Sequence, residues 1–337
     1  MSHTSSPGTA PTLRPHDDGP QARAPRLLAD VGGTHARFAW QAGAGAAIER
    51  AQVYRCAEHA SLHDAIRRYL ADCARAAPVL GAVGIANPVT GDQVTMTNHP
   101  WSFSIEALRQ ALGLQRLVVM NDFEALARSL PALQEGETEK LCGGEPVPDQ
   151  PLALIGPGTG LGVGGLVPSA AGWVPLAGEG GHATLSSVTE REAAVAAVLQ
   201  RRFGHASAER AVSGPGLVWL HEALCELDGA PAPVGLAAAD IAERAQAGSD
   251  ARSAEALDMF FAFLGSTAGN VALTLGARGG VFIGGGIVPK LATLVASSPL
   301  RERFVGKGRF RDYLAAIPIY LITSTQHPAL RGAAQAL

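Results

Sequence analysis

The sequence predicts an α/β fold in which strands and helices alternate and helices cover both faces of the sheets. Two observations lead to this prediction. Short apolar runs that end at Gly, Asn or Asp alternate with stretches of helical hydrophobic spacing along most of the chain. In addition, two glycine-rich segments each lie between two apolar runs, which is the pattern of a β-hairpin.

The two hairpins are predicted over residues 27–40 and 152–167. Their turns contain Gly32-Gly33-Thr34 and the run from Gly156 to Gly162. A dinucleotide fingerprint or a Walker loop would lead from its glycines into a helix, whereas a second apolar run follows here. Glycine lets the backbone approach a ligand closely, so that N–H groups hold anionic oxygens. The pair predicts two related halves that close on a polyphosphate, and a purely structural turn is the alternative for either hairpin alone.

The other elements follow from hydrophobic spacing and from helix and turn signals. Ser104 is the predicted N-cap of one helix, and Pro289 lies near the first turn of another. Residues 135–150 are polar and rich in Gly and Pro, so they are predicted to be a connector. Helices are predicted over 62–77, 104–112, 123–130, 190–203 and most of 241–275, and strands over 79–86, 117–120 and 280–283.

Composition limits the class of protein. The 337 residues are enough for two domains or one large domain, and a hydrophobic content of 47% allows a sizeable core. The net charge of −3 is not that of a nucleic-acid binder, and no continuous apolar run approaches the roughly 20 residues of a membrane span. The four scattered cysteines predict reduced thiols in a cytoplasmic protein. Residues 1–25 lack the apolar segment of a secretory signal and are predicted to be a disordered extension.

Several polar residues follow predicted strands, where ligands collect in open α/β sheets. Asp30 lies beside the first glycine turn, which suits a hydrated Mg²⁺. Asn121 and Asp122 end an apolar strand and begin a helix, so Asp122 is either a carboxylate fixed in a cleft or a helix cap. Glycines 284–286 follow the strand over 280–283.

The loop Gly178-Glu179-Gly180-Gly181-His182 is a further candidate. Glu179 and His182 together offer acceptors and a donor, which suits recognition of vicinal hydroxyl groups. They are too few for a zinc site, and a surface turn is the alternative. Glu209 carries no signal of its own and is interpreted as a solvated helix residue.

The chain resembles the bacterial glucokinase family of the actin-like, hexokinase-like ATPase superfamily. The resemblance extends from about Arg26 to the C-terminal region. Related sugar kinases of this fold usually carry a cysteine-rich zinc motif, which this chain lacks. It is carried by Asp30-Val31-Gly32-Gly33-Thr34, by residues 96–101 (MTNHPW), by Asn121-Asp122-Phe123, by the glycine-rich segments 156–162 and 178–182, and by residues 207–217 (SAERAVSGPGL) and 281–289 (VFIGGGIVP).

The resemblance implies a role for each matched residue. Asp122 would be the catalytic base, and Asp30 would orient a hydrated Mg²⁺. Glucose would be bound by Asn121, Asp122, Glu179, His182 and Glu209. The phosphates of ATP would be bound by Gly32, Gly33 and Thr34 and by Gly158, Thr159 and Gly160, and the adenosine would lie near Ser213, Gly214, Gly284, Gly285 and Gly286.

The resemblance also implies a two-domain actin-like ATPase (ribonuclease H-like) fold with a central cleft, assembled as a homodimer. Residues 26–132 would form a small α/β domain, completed by about 318–337, and residues 133–317 would form a large one. His35 departs from the family, which usually has Asn there. An imidazole beside the first phosphate loop is bulkier and can be charged, so nucleotide affinity or its pH dependence is expected to differ.

The implied activity is ATP-dependent phosphorylation of glucose at the 6-hydroxyl, the first step of glucose catabolism. Two alternatives stay open, a hexose kinase of broader specificity and a catalytically weak sugar-sensing regulator on the same fold. The regulator would need a DNA-binding module, and none is predicted in residues 1–25. A nicotinamide-dependent oxidoreductase is excluded because neither glycine turn leads into a helix. The choices between glucose and other hexoses, and between ATP and polyphosphate, are not decided by the residues.

Overall fold

The computed structural model describes residues 22–337, and the structural statements below refer to this range. The predicted extension at residues 1–25 therefore lies outside the description except for its last four residues. The strands are β1 (Arg26–Val31), β2 (His35–Gln41), β3 (Ile48–Arg55), β4 (Leu80–Ile85), β5 (Gln93–Thr95), β6 (Ser102–Ser104), β7 (Arg116–Asn121), β8 (Thr138–Cys142), β9 (Leu152–Pro157), β10 (Leu161–Ser169), β11 (Gly172–Gly178), β12 (Gly280–Ile283) and β13 (Ile319–Ile322). The helices are α1 (Leu62–Cys73), α2 (Ile105–Ala111), α3 (Asp122–Ser129), α4 (Glu190–Phe203), α5 (Gly214–Leu227), α6 (Ala238–Gln246), α7 (Ala251–Leu275), α8 (Ala292–Val295), α9 (Leu300–Val305), α10 (Arg311–Ala315) and α11 (Pro328–Ala334).

The two large sheets share one strand order. The first is β3-β2-β1-β4-β7, and the second is β11-β10-β9-β12-β13 with β8 added at its edge. In each sheet the two strands of the glycine hairpin are antiparallel. The first hairpin strand, β1 or β9, is followed in the sheet by two strands that run parallel to it, β4 and β7 or β12 and β13. The duplication that the paired glycine turns predicted is therefore present in the strand order.

Hydrophobic clusters cover both faces of each sheet, as the α/β prediction requires. On one face of the first sheet, Leu27 and Phe38 pack with Tyr69 of α1, and all three are fully buried. Ser61 caps α1 by accepting a hydrogen bond from the Asp64 N–H at 3.0 Å. All six residues of β4 are buried, which is typical of a parallel strand with both faces covered.

The core of the second half is built around α7. Phe260, Phe261 and Phe263 of this helix are buried, and Gly265 lets the backbone of α9 approach closely at Leu300. By length and composition alone, the 25 residues of α7 are long and apolar enough to cross a membrane, although polar residues interrupt the apolar ones. Of its most apolar window, 72% is buried inside the protein, as in a core helix.

Helix α3 links the two halves. It follows β7 of the first sheet, while its Phe123 ring lies against Gly156 and Gly162 of the second hairpin. Helix α11 packs on α3 so closely that a side chain at Gly332 would overlap the Ala125 carbonyl oxygen. These contacts place the start of α3 where both sheets end.

The structure confirms both predicted hairpins and most of the predicted elements, with four corrections. The helix predicted over 62–77 ends at Cys73, because Ala74 adopts the left-handed conformation at φ 50°. The connector predicted over 135–150 contains β8, which pairs with β13. Helix α5, strands β3, β5, β6, β11 and β13 and helices α9 to α11 were not predicted. Residues 22–25, assigned to a disordered extension, are held by hydrogen bonds that Ala44 donates to the Ala22 carbonyl (2.7 Å) and Val79 to the Pro25 carbonyl (2.8 Å).

The predicted return of the chain to the smaller domain also needs a correction. The boundary near residue 318 assigned β13 to the first half, but β13 pairs with β12 and β8 of the second sheet. The return therefore begins after Ile322, and α11 is the element that packs on the first sheet and on α3.

Candidate active site

The first glycine turn is tightly closed. The Gly32 N–H donates to the His35 carbonyl at 2.9 Å, and the Cys56 N–H donates to the Thr34 carbonyl at 2.9 Å. A side chain at Gly33 would lie 2.9 Å from the Asn98 carbonyl oxygen, so the loop around Asn98 lies directly against the turn. The sequence pattern had not placed this loop at the site. The His35 side chain itself is exposed at the start of β2.

Asp30 does not project freely into the cleft. Its Oδ2 is 3.0 Å from Nη1 of Arg37, its cross-strand partner on β2. The Asp30 side chain is 20% exposed, so the pair is partly shielded from water. The sequence did not identify Arg37 as part of the site. It places a positive charge beside the first glycine turn.

The start of α3 shows which residue caps the helix. Asn121 is the N-cap, because its Oδ1 accepts hydrogen bonds from the N–H groups of Phe123 (2.8 Å) and Glu124 (3.3 Å). Asp122 is the first helical residue, and its Oδ1 accepts from the Phe123 N–H at 2.9 Å. The capping role thus belongs to Asn121, and the Asp122 carboxylate adds only a local contact to it.

The electrostatic surroundings of Asp122 raise the pKa of its carboxyl group to about 6. Burial is the largest cause, because it disfavours the charged form. The negative charges of Asp30 and Glu179 raise this pKa further, while the hydrogen bond from Phe123 opposes them. Asp30 belongs to the first half and Glu179 to the second, so Asp122 lies where the two halves meet.

Glu179, His182 and Glu209 form one cluster. The His182 ring lies between the two carboxylates, with Nε2 3.9 Å from Glu179 Oε2 and Nδ1 4.0 Å from Glu209 Oε1. The side chains of His182 and Glu179 are 60% and 53% exposed, so they remain open to a ligand. A side chain at Gly181 would overlap the Leu161 carbonyl oxygen, so glycine is required to bring this loop onto β10.

The interpretation of Glu209 as a solvated helix residue was wrong. Glu209 lies in a single 3-10 turn, Ala208–Arg210, and its side chain is only 26% exposed. Its Oε2 accepts a hydrogen bond from the Leu161 N–H at 3.0 Å. Glu209 thus joins the second glycine turn to the His182 cluster. This is a contact across 48 residues that no local pattern could reveal.

The second glycine turn brings together the segments assigned to the nucleotide. The Gly214 N–H donates to the Gly158 carbonyl at 2.8 Å, and Ser213 caps α5 by accepting from the Gly216 N–H. Gly285 has a φ of +79°, which favours glycine, and a side chain there would overlap the Pro157 carbonyl oxygen. The structure therefore places Gly158, Thr159, Gly160, Ser213, Gly214, Gly284, Gly285 and Gly286 at one end of the second sheet.

The donor set suits a hydrated divalent cation. Asp30 and Asp122 lie close enough for the charge of one to raise the pKa of the other. Between residues 22 and 337, no group of three His, Cys, Asp or Glu side chains is arranged to hold a metal ion. One or two carboxylates are the protein share that Mg²⁺ takes when it keeps several waters and binds phosphate oxygens. The residues present therefore fit Mg²⁺ delivered together with a nucleotide.

Comparison with known proteins gives the family. Residues 27–337 match the family model described as Glucokinase. The chain is 57% identical over 314 residues to the glucokinase of Aromatoleum aromaticum, covering 93% of this chain and 94% of that protein. It is 56% identical over 310 residues to the glucokinase of Chromobacterium violaceum, covering 92% and 88%. The crystal structure of a glucokinase from an Antarctic psychrotroph superposes with a TM-score of 0.83 at 36% identity, covering 93% and 98%. The chain belongs to the glucokinase family.

Proposed function

We propose that this protein transfers the γ-phosphoryl group of ATP to the 6-hydroxyl of glucose. The observation that carries the proposal is the position of Asp122. Its carboxylate is close enough to Asp30, beside the first glycine turn, and to Glu179, in the Glu179–His182–Glu209 cluster, for both charges to help raise its pKa to about 6. Phosphoryl transfer depends mainly on positioning and on neutralisation of phosphate charge. The cluster and Asp122 would position the sugar, and the N–H groups of the glycine turns together with Mg²⁺ would neutralise the phosphates.

Glucose would occupy the side of the site formed by the three clustered side chains. Two carboxylates with an imidazole between them accept from sugar hydroxyls and donate to one of them. Asn121 would contribute less to the sugar than the sequence implied, because its Oδ1 caps α3 and its Nδ2 lies 3.4 Å from the Asn87 carbonyl. Asp122 would accept a hydrogen bond from the hydroxyl that reacts.

Asp122 would act as the general base. At neutral pH a carboxyl group with a pKa of about 6 is mostly ionised, and it is more basic than an exposed aspartate. The 6-hydroxyl loses its proton to this carboxylate as its oxygen bonds to phosphorus, and the bond between phosphorus and the β,γ-bridging oxygen of ATP breaks. The attacking oxygen thus exchanges its bond to hydrogen for a bond to phosphorus, and ADP leaves with the electron pair of the broken bond.

The phosphates would lie against the two glycine turns. Two of their N–H groups, those of Gly32 and Gly158, already bond across their own turns. We therefore assign the phosphate contacts to the N–H groups of Gly33, Thr34, Thr159 and Gly160. Arg37 would hold Asp30 in a fixed orientation toward the waters of Mg²⁺, and the ion would supply neutralisation of the phosphate charge.

The adenosine would lie near Ser213, Gly214 and the glycines 284–286, which pack around the second turn. The repeated strand order with a site between the sheet ends supports a two-domain, actin-like ATPase fold with a central cleft. In that division the small domain contains the first sheet and α11, and the large domain contains the second sheet. The sequence resemblance further supports a homodimer in the cytoplasm, and sedimentation of the purified chain would test the dimer.

A coupled assay of hexose phosphorylation tests the proposal. Glucose, mannose and fructose are compared as acceptors, and ATP and polyphosphate as donors, each at matched concentrations with Mg²⁺. We expect the highest kcat/KM with glucose and ATP, and loss of activity on chelation of the metal. A higher kcat/KM for another hexose, or turnover with polyphosphate alone, would contradict the proposed substrates.

A further inference from the structure

A cavity of about 710 Å³ lies at the end of β1 that is opposite to the phosphate turn. Its wall comes from the start of β1, the β2–β3 hairpin and α11, and we call it the β1 cavity. Arg26 begins β1, whereas Asp30 lies four residues along the strand, ~13 Å away at a rise of ~3.3 Å per residue. The β1 cavity is therefore separate from the candidate active site.

Arg26 carries a buried charge in this wall. The residue is only 5% exposed, and its Nη1 donates to the Ala334 carbonyl at a long 3.3 Å. Its Nε is buried and has no hydrogen-bond partner within residues 22–337. None of the described residues that line the cavity is an Asp or a Glu. A buried guanidinium without a counter-charge is unfavourable, and burial correspondingly lowers its pKa.

Gln41 lies directly opposite Arg26 in the β1–β2 register and is 4% exposed. Its Nε2 donates to the Ala46 carbonyl at 2.8 Å, but its Oε1 is buried without a partner in the described chain. Side chains of paired residues on antiparallel strands lie on the same face of the sheet. The pair therefore presents an unsatisfied donor beside an unsatisfied acceptor.

Arg331 of α11 adds a second unsatisfied donor to the wall. Its two Nη groups donate to Glu137, while its Nε is buried without a partner in the described range. Much of the remaining wall is small and apolar, as expected around the carbon atoms of a ligand: Ala44, Ala46, Ala47, Ile48, Ala51 and Leu330. The volume is larger than a bare phosphate ion needs and is suitable for a small metabolite.

We propose that the β1 cavity binds a small oxyanion that also carries a hydroxyl group. The carboxylate or phosphate group of the ligand pairs with Arg26, and its hydroxyl donates to Gln41 Oε1. Binding supplies the counter-charge that the protein does not provide for Arg26, and it satisfies the acceptor beside it. Carboxylates and phosphates share this chemistry, so the experiment includes one of each.

The test uses the full chain saturated with glucose and ADP, so that the active site is filled. Glycerol 3-phosphate and glycerate are titrated by calorimetry, with sulfate as an anion that lacks a carbon-borne hydroxyl and with sodium chloride at equal ionic strength. We expect one of the hydroxylated anions to bind more tightly than sulfate and to raise the Tm, and we expect no effect of chloride. The tighter of the two probes shows whether phosphate or carboxylate is preferred.

Two variants separate the cavity from the active site. Arg26→Gln is expected to weaken binding by about 10- to 100-fold, as for loss of a charged hydrogen bond. Arg116→Gln is the matched control, because Arg116 begins β7 of the same sheet and also donates to carbonyls near the C-terminus, at Ala336 and Leu337, without lining the cavity. It should bind both probes as the parent does.

Gln41→Glu provides a test that does not depend on removing Arg26. The new carboxylate lies opposite the guanidinium, so it should abolish binding of the probes. Its effect on the Tm combines the new ion pair with loss of the hydrogen bond to the Ala46 carbonyl. Full affinity in Arg26→Gln, unchanged binding in Gln41→Glu, or equal stabilisation by chloride would overturn the proposal. None of these readouts involves phosphorylation of glucose, so they are independent of the proposed function.

Discussion

The two halves of the molecule share a strand order but differ in the carboxylates that surround their glycine turns. In the first half, Asp30 lies within the strand that leads to the turn and pairs with Arg37 on the next strand. In the second half, β9 contains no acid, and the carboxylate at the turn comes from Glu209, 48 residues from the Leu161 N–H that it binds. The duplicated topology therefore supplies two backbone cradles, and distant side chains make them chemically different.

The strands that stand fifth in the shared sheet order, β7 and β13, show the same difference between the halves. In the first half, β7 leads directly into α3, where Asn121 caps the helix and Asp122 follows. In the second half, β13 is followed by Thr323 and Ser324, and the Ser324 hydroxyl donates to Glu137 at 2.6 Å. Glu137 is also paired with Arg331, and these contacts lower its pKa to about 2. One half uses this position for a basic carboxylate, whereas the other uses it for a structural network.

Of the substitutions that test this difference between the halves, Asp122→Asn should have the largest effect on kcat. Asparagine keeps the size and can still bind a hydroxyl, but it cannot take its proton, so kcat should fall by about 10²- to 10⁴-fold. Because Asn121 remains as the cap, α3 should persist. Turnover is measured by the coupled assay and glucose affinity by calorimetry. A kcat within a few-fold of the parent would remove Asp122 from the base role.

The stability of Asp122→Asn shows whether lost activity reflects lost folding. The folded pKa of Asp122, about 6, lies above its unfolded value of about 3.9, so the folded state loses stability as pH rises between these values. The variant should therefore be more stable than the parent at pH 7, by up to about 3 kcal/mol. Ser324→Ala, the equivalent position of the second half, is the matched control. It should lower the Tm and leave kcat unchanged.

Removal of the proposed sugar contacts in the second half should have the next largest effect. Glu179→Ala and His182→Ala each leave sugar hydroxyls unpaired, which costs roughly 1–3 kcal/mol, or about 5- to 150-fold in glucose affinity. His205→Ala is the control, because His205 is an exposed histidine whose ring lies 3.1 Å from the Thr184 hydroxyl, outside the cluster. Calorimetry that finds parental glucose affinity in both cluster variants would place the sugar elsewhere.

A third prediction concerns the contact between the halves at Phe123. A methyl group at Gly162 would overlap the Phe123 ring, whereas the nearest atom to a methyl group at Gly164, on the same face of β10, would be 3.7 Å away. Gly162→Ala should therefore destabilise the protein by about 1–3 kcal/mol and displace the start of α3, lowering kcat. Gly164→Ala should leave both quantities near the parental values. Denaturant unfolding and the coupled assay compare the two, and equal behaviour would contradict a tight contact here.

Features that depend on residues close together in the sequence could be predicted, whereas contacts between residues far apart in the sequence could not. Both hairpins and the α4 bounds, 190–203, follow from periodicity and capping signals within a few residues. The strand β8 is short and polar, and its pairing with β13 depends on residues about 180 positions away. For the same reason Glu209 and Arg37 carried no signal, because their roles depend on which residues fold beside them. Only the family resemblance had assigned Glu209 to the site.

The smallest expected effect is on the pH dependence, and it measures how far the charge of the first half reaches Asp122. The base must be ionised, so kcat/KM should rise as pH increases through about 6 and level off above it. Asp30 raises the pKa of Asp122 through its negative charge, so Asp30→Asn should lower that pKa and move the rise to lower pH. Burial is the larger cause and is unchanged, so we expect a displacement of less than one pH unit. The position of the rise is independent of the lower activity that follows from a weakened Mg²⁺ site, because the profile is normalised to its own plateau.

Glu124→Gln is the control, since this carboxylate lies on the same helix and pairs with Arg128 at 2.9 Å, and it should not move the profile. A displacement to higher pH in Asp30→Asn, or none at all, would show that the charge of the first turn does not act on the base.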